Sequence, residues 1–97
     1  MAALSSQDAQ RVVEKLGNSW KIESDILKGT FTFSDFQQAL DFTNCIGSMA
    51  EDLWHHPDIF LTWGKVEVSL VTHDEGGITA KDIELAALIQ KKKNSDF

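Results

Sequence analysis

Cysteine and proline are almost absent from this chain of 97 residues, and long hydrophobic runs are absent altogether. Cys45 is the single cysteine, so no disulfide can form within the chain, and a reducing compartment is the expected setting. No apolar stretch approaches the roughly 20 residues that a membrane-spanning helix needs. The polar residues that follow Leu4 do not resemble a signal peptide. We therefore expect a cytoplasmic protein that does not enter the membrane.

Basic residues are also scarce, with nine lysines and arginines against fifteen acidic residues and a formal net charge of −6. This balance argues against direct nucleic-acid binding, which needs many cations to neutralise phosphates, and against docking on anionic lipid. The hydrophobic content of 42% and the charged content of 25% are those of an ordinary globular protein. A chain this short cannot form two separate cores, so we expect a single domain over residues 1–97.

Capping patterns and apolar spacing predict the first and last helices. The first begins at Ser5 or Ser6 and ends at Gly17, which can adopt the left-handed conformation that closes a helix. The last begins at Thr79, with Asp82 at the third helical position, as in a capping box.

A second, longer helix is predicted between them. Ser34 is the expected cap residue, and Gln37 stands three positions later, where it can complete a capping box. Apolar residues then recur at helical spacing. Pro57 cannot continue a helix, so we expect the end between Leu53 and His55.

Four strands are predicted in the remaining segments. One strand contains Trp20 and Ile22, and the others are expected at Ile26–Phe33, Ile59–Trp63 and Val66–Thr72. The last two strands are predicted to form a hairpin through a type II′ turn at residues 64–65, because glycine suits its first position.

These elements alternate in the order α-β-β-α-β-β-α. The links within each strand pair are too short for a crossover helix, so the pairs should be antiparallel. We therefore predict an α+β fold, with a four-stranded antiparallel sheet and three helices packed on one face.

All three histidines follow the ends of predicted elements. His55 and His56 stand at the end of the second helix, and His73 at the end of the fourth strand. Such positions give a catalytic side chain access to solvent on a rigid support. Glu51 lies one helical turn before His55, so its carboxylate is expected to reach that imidazole.

Two other interpretations of this group stay open at this point. The histidines can be ordinary polar residues, favoured at a helix C-terminus by the helix dipole. Alternatively, the same four side chains offer up to four ligands of the kind that zinc binds. Adjacent histidines point apart and rarely share one ion, so no metal site is our expectation.

The spacing of residues across this region is specific. It runs Glu51-x3-His55-His56-Pro57-x5-Trp63-x9-His73-x8-Asp82. This pattern resembles the signature of the pterin-4a-carbinolamine dehydratases, also called 4a-hydroxytetrahydrobiopterin dehydratases. The order of elements extends the likeness to nearly the whole chain.

The resemblance implies a lyase without a metal or organic cofactor. Such an enzyme removes water from 4a-hydroxytetrahydrobiopterin to give the quinonoid dihydropterin, which a reductase then recycles. The resemblance also implies an α+β fold assembled as a homodimer or homotetramer. Some animal relatives bind a transcription factor as coactivators, so a transcription-factor partner and a nuclear location are the alternative.

The resemblance assigns roles to the residues of the signature. His55 and His73 are the candidates for general acid and base, because imidazole exchanges protons near neutral pH. His56 is expected to position the substrate. Glu51 is expected to orient His55, and Asp82 to support His73.

Two further residues are candidates for contact with the substrate. Trp63 is expected either to form a wall of the pocket or to pack as a buried aromatic residue. Thr72 precedes His73 and is expected to offer backbone hydrogen bonds to the amide edge of the pterin.

Overall fold

The computed structural model describes residues 2–97, which form three α-helices, four strands and one short 3-10 helix. The elements, in chain order, are α1 (Ser6–Leu16), β1 (Trp20–Glu23), β2 (Ile26–Thr32), α2 (Phe36–Leu53), β3 (Asp58–Leu61), β4 (Lys65–Leu70), the 3-10 helix (His73–Glu75) and α3 (Ala80–Asp96). The predicted order of helices and strands is confirmed.

The four strands form one antiparallel sheet in the order β1-β2-β4-β3. Helix α1 packs against β1, α2 packs across β3 and β4, and α3 packs against both other helices. The structure therefore has the predicted α+β architecture, and β3 is an edge strand beside which α2 ends.

The core lies between the sheet and the helices. Alternation along β4 turns Val66, Val68 and Leu70 inward, and all three are fully buried. Phe42 of α2 is also fully buried, and its ring lies 5.1 Å from the ring of Phe31. The core thus fixes α2 against the middle of the sheet, and this contact determines where the end of α2 points.

The other face of the sheet is open and charged. Glu23 accepts hydrogen bonds from Lys21 at 2.8 Å and from Lys28 at 3.0 Å. These two lysines, Lys21 first, lower the pKa of Glu23 to about 2. The alternation of buried and charged positions explains why the helices gather on one face only.

The start of α2 lies one residue later than predicted. Asp35, not Ser34, is the cap residue, and its Oδ1 accepts a hydrogen bond from the backbone N–H of Gln38 at 2.9 Å. The side chain of Gln38 in turn accepts from the N–H of Ser34, the residue before the cap, so Gln37 takes no part in the capping. The prediction was wrong here because Ser34 and Asp35 are both good caps in adjacent registers.

The turn between β3 and β4 also differs from the prediction. The backbone N–H of Thr62 donates to the carbonyl of Lys65 at 2.8 Å, so the two central residues are Trp63 and Gly64. Neither has a positive φ, which a type II′ turn requires at its first central position. The predicted type II′ turn is therefore wrong.

No helix within residues 2–97 combines the length and the apolar character needed to cross a lipid bilayer.

Gly29 lies where the indole of Trp20 crosses the sheet. The two residues are partners across β1 and β2, and Trp20 is 4% exposed. The indole N–H donates to Oε1 of Gln90 in α3 at 2.9 Å, which ties the sheet to that helix. A Cβ at Gly29 would lie 2.7 Å from the nearest ring atom, so only glycine fits beneath the indole.

We therefore expect Gly29→Ala to lower the free energy of unfolding by about 1–3 kcal/mol, because the indole must shift and strain its bond to Gln90. The matched control is Gly47→Ala within α2, where a Cβ meets nothing within 4 Å. That variant should be neutral or stabilised by up to about 1 kcal/mol, since alanine favours helix. Urea unfolding of both variants measures the difference, and equal stabilities would contradict the prediction.

Candidate active site

His55 is positioned by the way in which α2 ends. Trp54 follows the helix in the left-handed conformation, with φ 50° and ψ 47°. The N–H of His55 then donates to the carbonyl of Ala50 at 3.0 Å, in the pattern of a Schellman motif. This ending turns the chain away from the helix axis. Pro57 prevents the helix from resuming, because proline has no backbone N–H to donate.

Asp82 is positioned by the start of α3. Thr79 and Asp82 form the predicted capping box, and the N–H of Thr79 donates to Oδ2 of Asp82 at 2.8 Å. Both side chains are completely buried. The capping box therefore places a carboxylate inside the protein, at the N-terminal end of a helix where negative charge is stabilised.

The buried carboxylate of Asp82 holds the ring of His55. Nε2 of His55 lies 2.5 Å from Oδ1 of Asp82, and the two side chains are 12% and 0% exposed. An ionised carboxylate can only accept hydrogen bonds, so Nε2 of His55 carries the proton of this bond. Nδ1 has no hydrogen-bond partner within residues 2–97 and is the nitrogen left for a bound molecule.

Two threonines complete the hydrogen bonds of this carboxylate. The hydroxyl of Thr72 donates to Oδ2 of Asp82 at 2.9 Å and lies 2.8 Å from the hydroxyl of Thr79. Because Thr72 has one hydroxyl proton and gives it to Asp82, Thr79 must donate to Thr72. Thr79 was predicted only as a helix cap, and its place in the site could not be read from its capping position.

His56 has a different carboxylate partner from the one predicted. Glu51 hydrogen-bonds to Nε2 of His56, not to His55. Asp82 in turn supports His55, not His73. Both expected pairings are therefore wrong, because α2 ends before His55 and the helical spacing from Glu51 no longer applies there.

His73 lines a shallow pocket together with the other two histidines. It begins the 3-10 helix after Thr72, three residues beyond β4, rather than ending the strand, and it is exposed. The pocket, called here the histidine pocket, has a volume of about 210 Å³. Its lining residues are His55, His56, Val71, Thr72, His73 and Asp74.

Of the two residues predicted to contact the substrate, Thr72 lines the histidine pocket and Trp63 does not. Trp63 lies in the β3–β4 turn, at the opposite end of that hairpin from His56 and Thr72, and its side chain is 67% exposed. It is therefore neither a wall of the histidine pocket nor a buried packing residue. Thr72 does line the pocket, but its backbone N–H donates to Gly77 and its carbonyl accepts from Glu75 and Gly77. The predicted backbone contacts to substrate are therefore already used within the loop.

Within residues 2–97, no group of three or more histidine, cysteine, aspartate and glutamate side chains is arranged to hold a metal ion. The adjacent histidines point to separate carboxylates, as expected for neighbouring side chains.

The sequence as a whole matches one family model, pterin 4 alpha carbinolamine dehydratase, over residues 2–92. The chain belongs to this family. A relative from Alkaliphilus metalliredigens is 40% identical over 94% of this chain and 83% of its own length. Another, from Haloarcula marismortui, is 44% identical over 89% of this chain and 91% of its own length. Both carry the provisional name of a pterin-4-alpha-carbinolamine dehydratase.

Solved structures show the same fold as this member of the dehydratase family. A transcriptional coactivator/pterin dehydratase from Brucella melitensis superposes with a TM-score of 0.86 at 30% identity, covering 92% of this chain and 96% of the other. A pterin dehydratase-like RuBisCO assembly factor of the alpha-carboxysome superposes with a TM-score of 0.64, over 78% and 90% of the two chains. The second is 20% identical and shares the fold alone.

Asp82→Asn should reverse the tautomer of His55. The amide oxygen must accept from Thr72 and from the N–H of Thr79, which leaves the amide NH₂ facing Nε2 of His55. That nitrogen then has to accept, and the ring proton moves to Nδ1. We expect ¹⁵N NMR of the imidazoles to show this change of tautomer for His55 and for neither of the other two histidines.

The exposed Asp52→Asn on α2 is the matched control and should leave all three imidazoles unchanged. An unchanged tautomer of His55 in folded Asp82→Asn would contradict the assigned direction of the hydrogen bond.

Proposed function

We propose that this protein dehydrates 4a-hydroxytetrahydrobiopterin to the quinonoid dihydropterin, by histidine general acid and base catalysis, in the recycling of tetrahydrobiopterin. The observation that carries the proposal is the histidine pocket, in which two separate elements bring three imidazoles together and a buried carboxylate fixes one of them. Membership of the dehydratase family supports the choice of substrate.

The reaction requires one proton to be delivered and another removed. The bond between C4a and its hydroxyl breaks as the hydroxyl oxygen receives a proton and leaves as water. The lone pair of N5 forms the new double bond to C4a, and the proton on N5 is lost to a base. The substrate thus yields water and the quinonoid product, and no oxidant or reductant is consumed.

His55 is suited to deliver the proton to the leaving hydroxyl. When the ring holds two protons, Nε2–H stays bonded to Asp82 and Nδ1–H is the proton that can be given away. The carboxylate of Asp82 also offsets the positive charge of the ring. After the transfer, the neutral ring keeps the tautomer that Asp82 already holds, so no rearrangement is needed.

His73 is suited to take the proton from N5. It lines the same pocket from a different element, and its exposure lets it pass the proton on to solvent. His56 is half-exposed and hydrogen-bonded to Glu51, so it is suited to bind the substrate. This division leaves His55 and His73 with the chemical step and His56 with binding.

We expect His55→Ala and His73→Ala each to lower kcat by at least roughly a hundredfold, because each removes one proton transfer from the chemical step. His56→Ala should raise KM more than it lowers kcat. Gln37→Ala, an exposed change near the other end of α2, serves as the control and should retain full activity. The assay follows dehydration of freshly generated 4a-hydroxytetrahydrobiopterin, and circular dichroism checks the fold of each variant.

Wild-type rates equal to the uncatalysed rate would refute the proposed activity. Full activity in either folded His55→Ala or folded His73→Ala would refute the assigned mechanism.

We also propose that the protein self-associates as a homodimer or homotetramer through β3. This strand lies at the edge of the sheet, and Phe60 and Trp63 beside it are 59% and 67% exposed. An edge strand with exposed aromatic residues can pair with the same strand of a second copy. Sedimentation of the wild type should give a dimer or tetramer, and Phe60→Glu should shift it toward monomer, whereas Asp58→Asn should not. A monomeric wild type would refute this proposal.

A transcription-factor partner is the second candidate function. It is favoured by the double name of the Brucella melitensis protein, which is called a transcriptional coactivator as well as a dehydratase. Capture of one helical partner by a His55→Ala, His56→Ala, His73→Ala triple variant would support binding that is independent of catalysis.

A further inference from the structure

A second hollow adjoins the histidine pocket, and the dehydratase mechanism leaves it without a role. It has a volume of about 280 Å³ and shares Val71 and His73 with the histidine pocket. Its other lining residues are Ser24, Asp25, Ile26 and Gly76. We call it the Asp25 hollow. His73 therefore lines both spaces.

A third hollow continues the groove beyond Asp25. It has a volume of about 350 Å³, shares Asp25 and Gly76 with the Asp25 hollow, and reaches Ser6 and Gln10 of α1. The three spaces together run from the end of α2, past His73 and the β1–β2 turn, to α1. The groove thus offers space beyond the histidine pocket, where the bicyclic ring is proposed to bind.

The chemistry of the proposed substrate indicates what enters this groove. In a tetrahydropterin, the carbon that carries the variable side chain, C6, is bonded directly to N5. If His73 removes the proton from N5, as proposed above, then the side chain leaves the ring beside His73. The Asp25 hollow is the neighbouring space that His73 also lines.

Carboxylates line the groove within residues 2–97, and no lysine or arginine stands opposite them. Asp74 lines the histidine pocket and Asp25 lines both further hollows, whereas no lysine or arginine lines any of the three. Asp25 makes no hydrogen bond or ion pair within residues 2–97, so its carboxylate is available to accept from a hydroxyl group. The same carboxylate repels an anionic group placed beside it.

The backbone keeps Asp25 in this position. Ser24 and Asp25 are the two residues of the β1–β2 turn, and both have positive φ, at 52° and 62°. This is the conformation of a two-residue type I′ turn, whose geometry is fixed by the paired strands on either side. The carboxylate is therefore carried by a tight turn and not by a long loop.

We propose that the Asp25 hollow receives the C6 side chain of the pterin, and that Asp25 selects uncharged, hydroxylated side chains over anionic ones. This inference rests on the proposed dehydratase function and on the role of His73 at N5. It assigns a specificity-determining role to Asp25, which lies outside the signature that the sequence shares with the dehydratases.

The test includes two side chains that differ in charge but hardly in size, and one small hydroxylated side chain. The probes are 4a-hydroxytetrahydropterins with a dihydroxypropyl group, with a p-aminobenzoylglutamate group, and with the dimethyl ester of that same glutamate. The wild type should show the highest kcat/KM for the dihydroxypropyl compound, and a higher value for the neutral ester than for the dianion. We expect the ratio of ester to dianion to be roughly fivefold, since Asp25 is exposed to water, and to shrink in high salt.

Asp25→Asn should bring the ratio of ester to dianion close to one while leaving the ester rate nearly unchanged. Asparagine tolerates the left-handed backbone of the turn, so the variant should fold. The control is Asp58→Asn, an equally exposed carboxylate on β3 that lines none of the three hollows.

A wild type that dehydrates the ester and the dianion equally well would overturn this inference while leaving the dehydratase function intact. Equal ratios of ester to dianion in Asp25→Asn and Asp58→Asn would also overturn the inference and leave the dehydratase function intact. Absence of catalysis with all three probes would instead refute the proposed function, and the inference with it.

Discussion

The carboxylate of Asp82 joins the fold to the site. It accepts from the N–H of Thr79 at the start of α3, from the hydroxyl of Thr72 ahead of the 3-10 helix, and from the ring of His55 after α2. Three segments that are distant in sequence therefore meet at one buried side chain. A buried charge is costly unless its hydrogen bonds are satisfied, so the position of each segment depends on the other two.

This arrangement divides the histidines into a rigid one and two accessible ones. His55 is 12% exposed and is held by a partner that cannot move without uncapping α3. His56 and His73 are exposed, and each can adjust to a bound molecule or exchange protons with water. A proton donor held in one geometry suits protonation of the leaving oxygen, which depends on alignment. The proton taken from the substrate needs no such fixed acceptor, because it can leave through solvent.

The sequence was sufficient for the fold and for the three histidines of the histidine pocket, but not for their hydrogen-bond partners. Periodicity and caps identified the three α-helices and four strands, because these signals are local, whereas the 3-10 helix was missed. The pairing failed where it depended on contacts between distant segments: His55 meets Asp82 across 27 positions, and no spacing rule predicts that approach. The predicted hairpin already placed Trp63 beside its turn, at the opposite end from His56 and Thr72, so the distance of Trp63 from the histidines could have been predicted from the strand pairing.

Left-handed backbone conformations occur at two chain reversals, one that carries Asp25 and one that precedes His55. Within residues 2–97, the only non-glycine residues with positive φ are Ser24, Asp25 and Trp54. The first two carry the wall of the Asp25 hollow, and Trp54 immediately precedes His55. Left-handed conformations cost free energy for residues with a side chain, most of all for a bulky one such as tryptophan. Each of these conformations has a local cause, since Ser24 and Asp25 form the type I′ turn between β1 and β2, and Trp54 closes α2 in a Schellman motif.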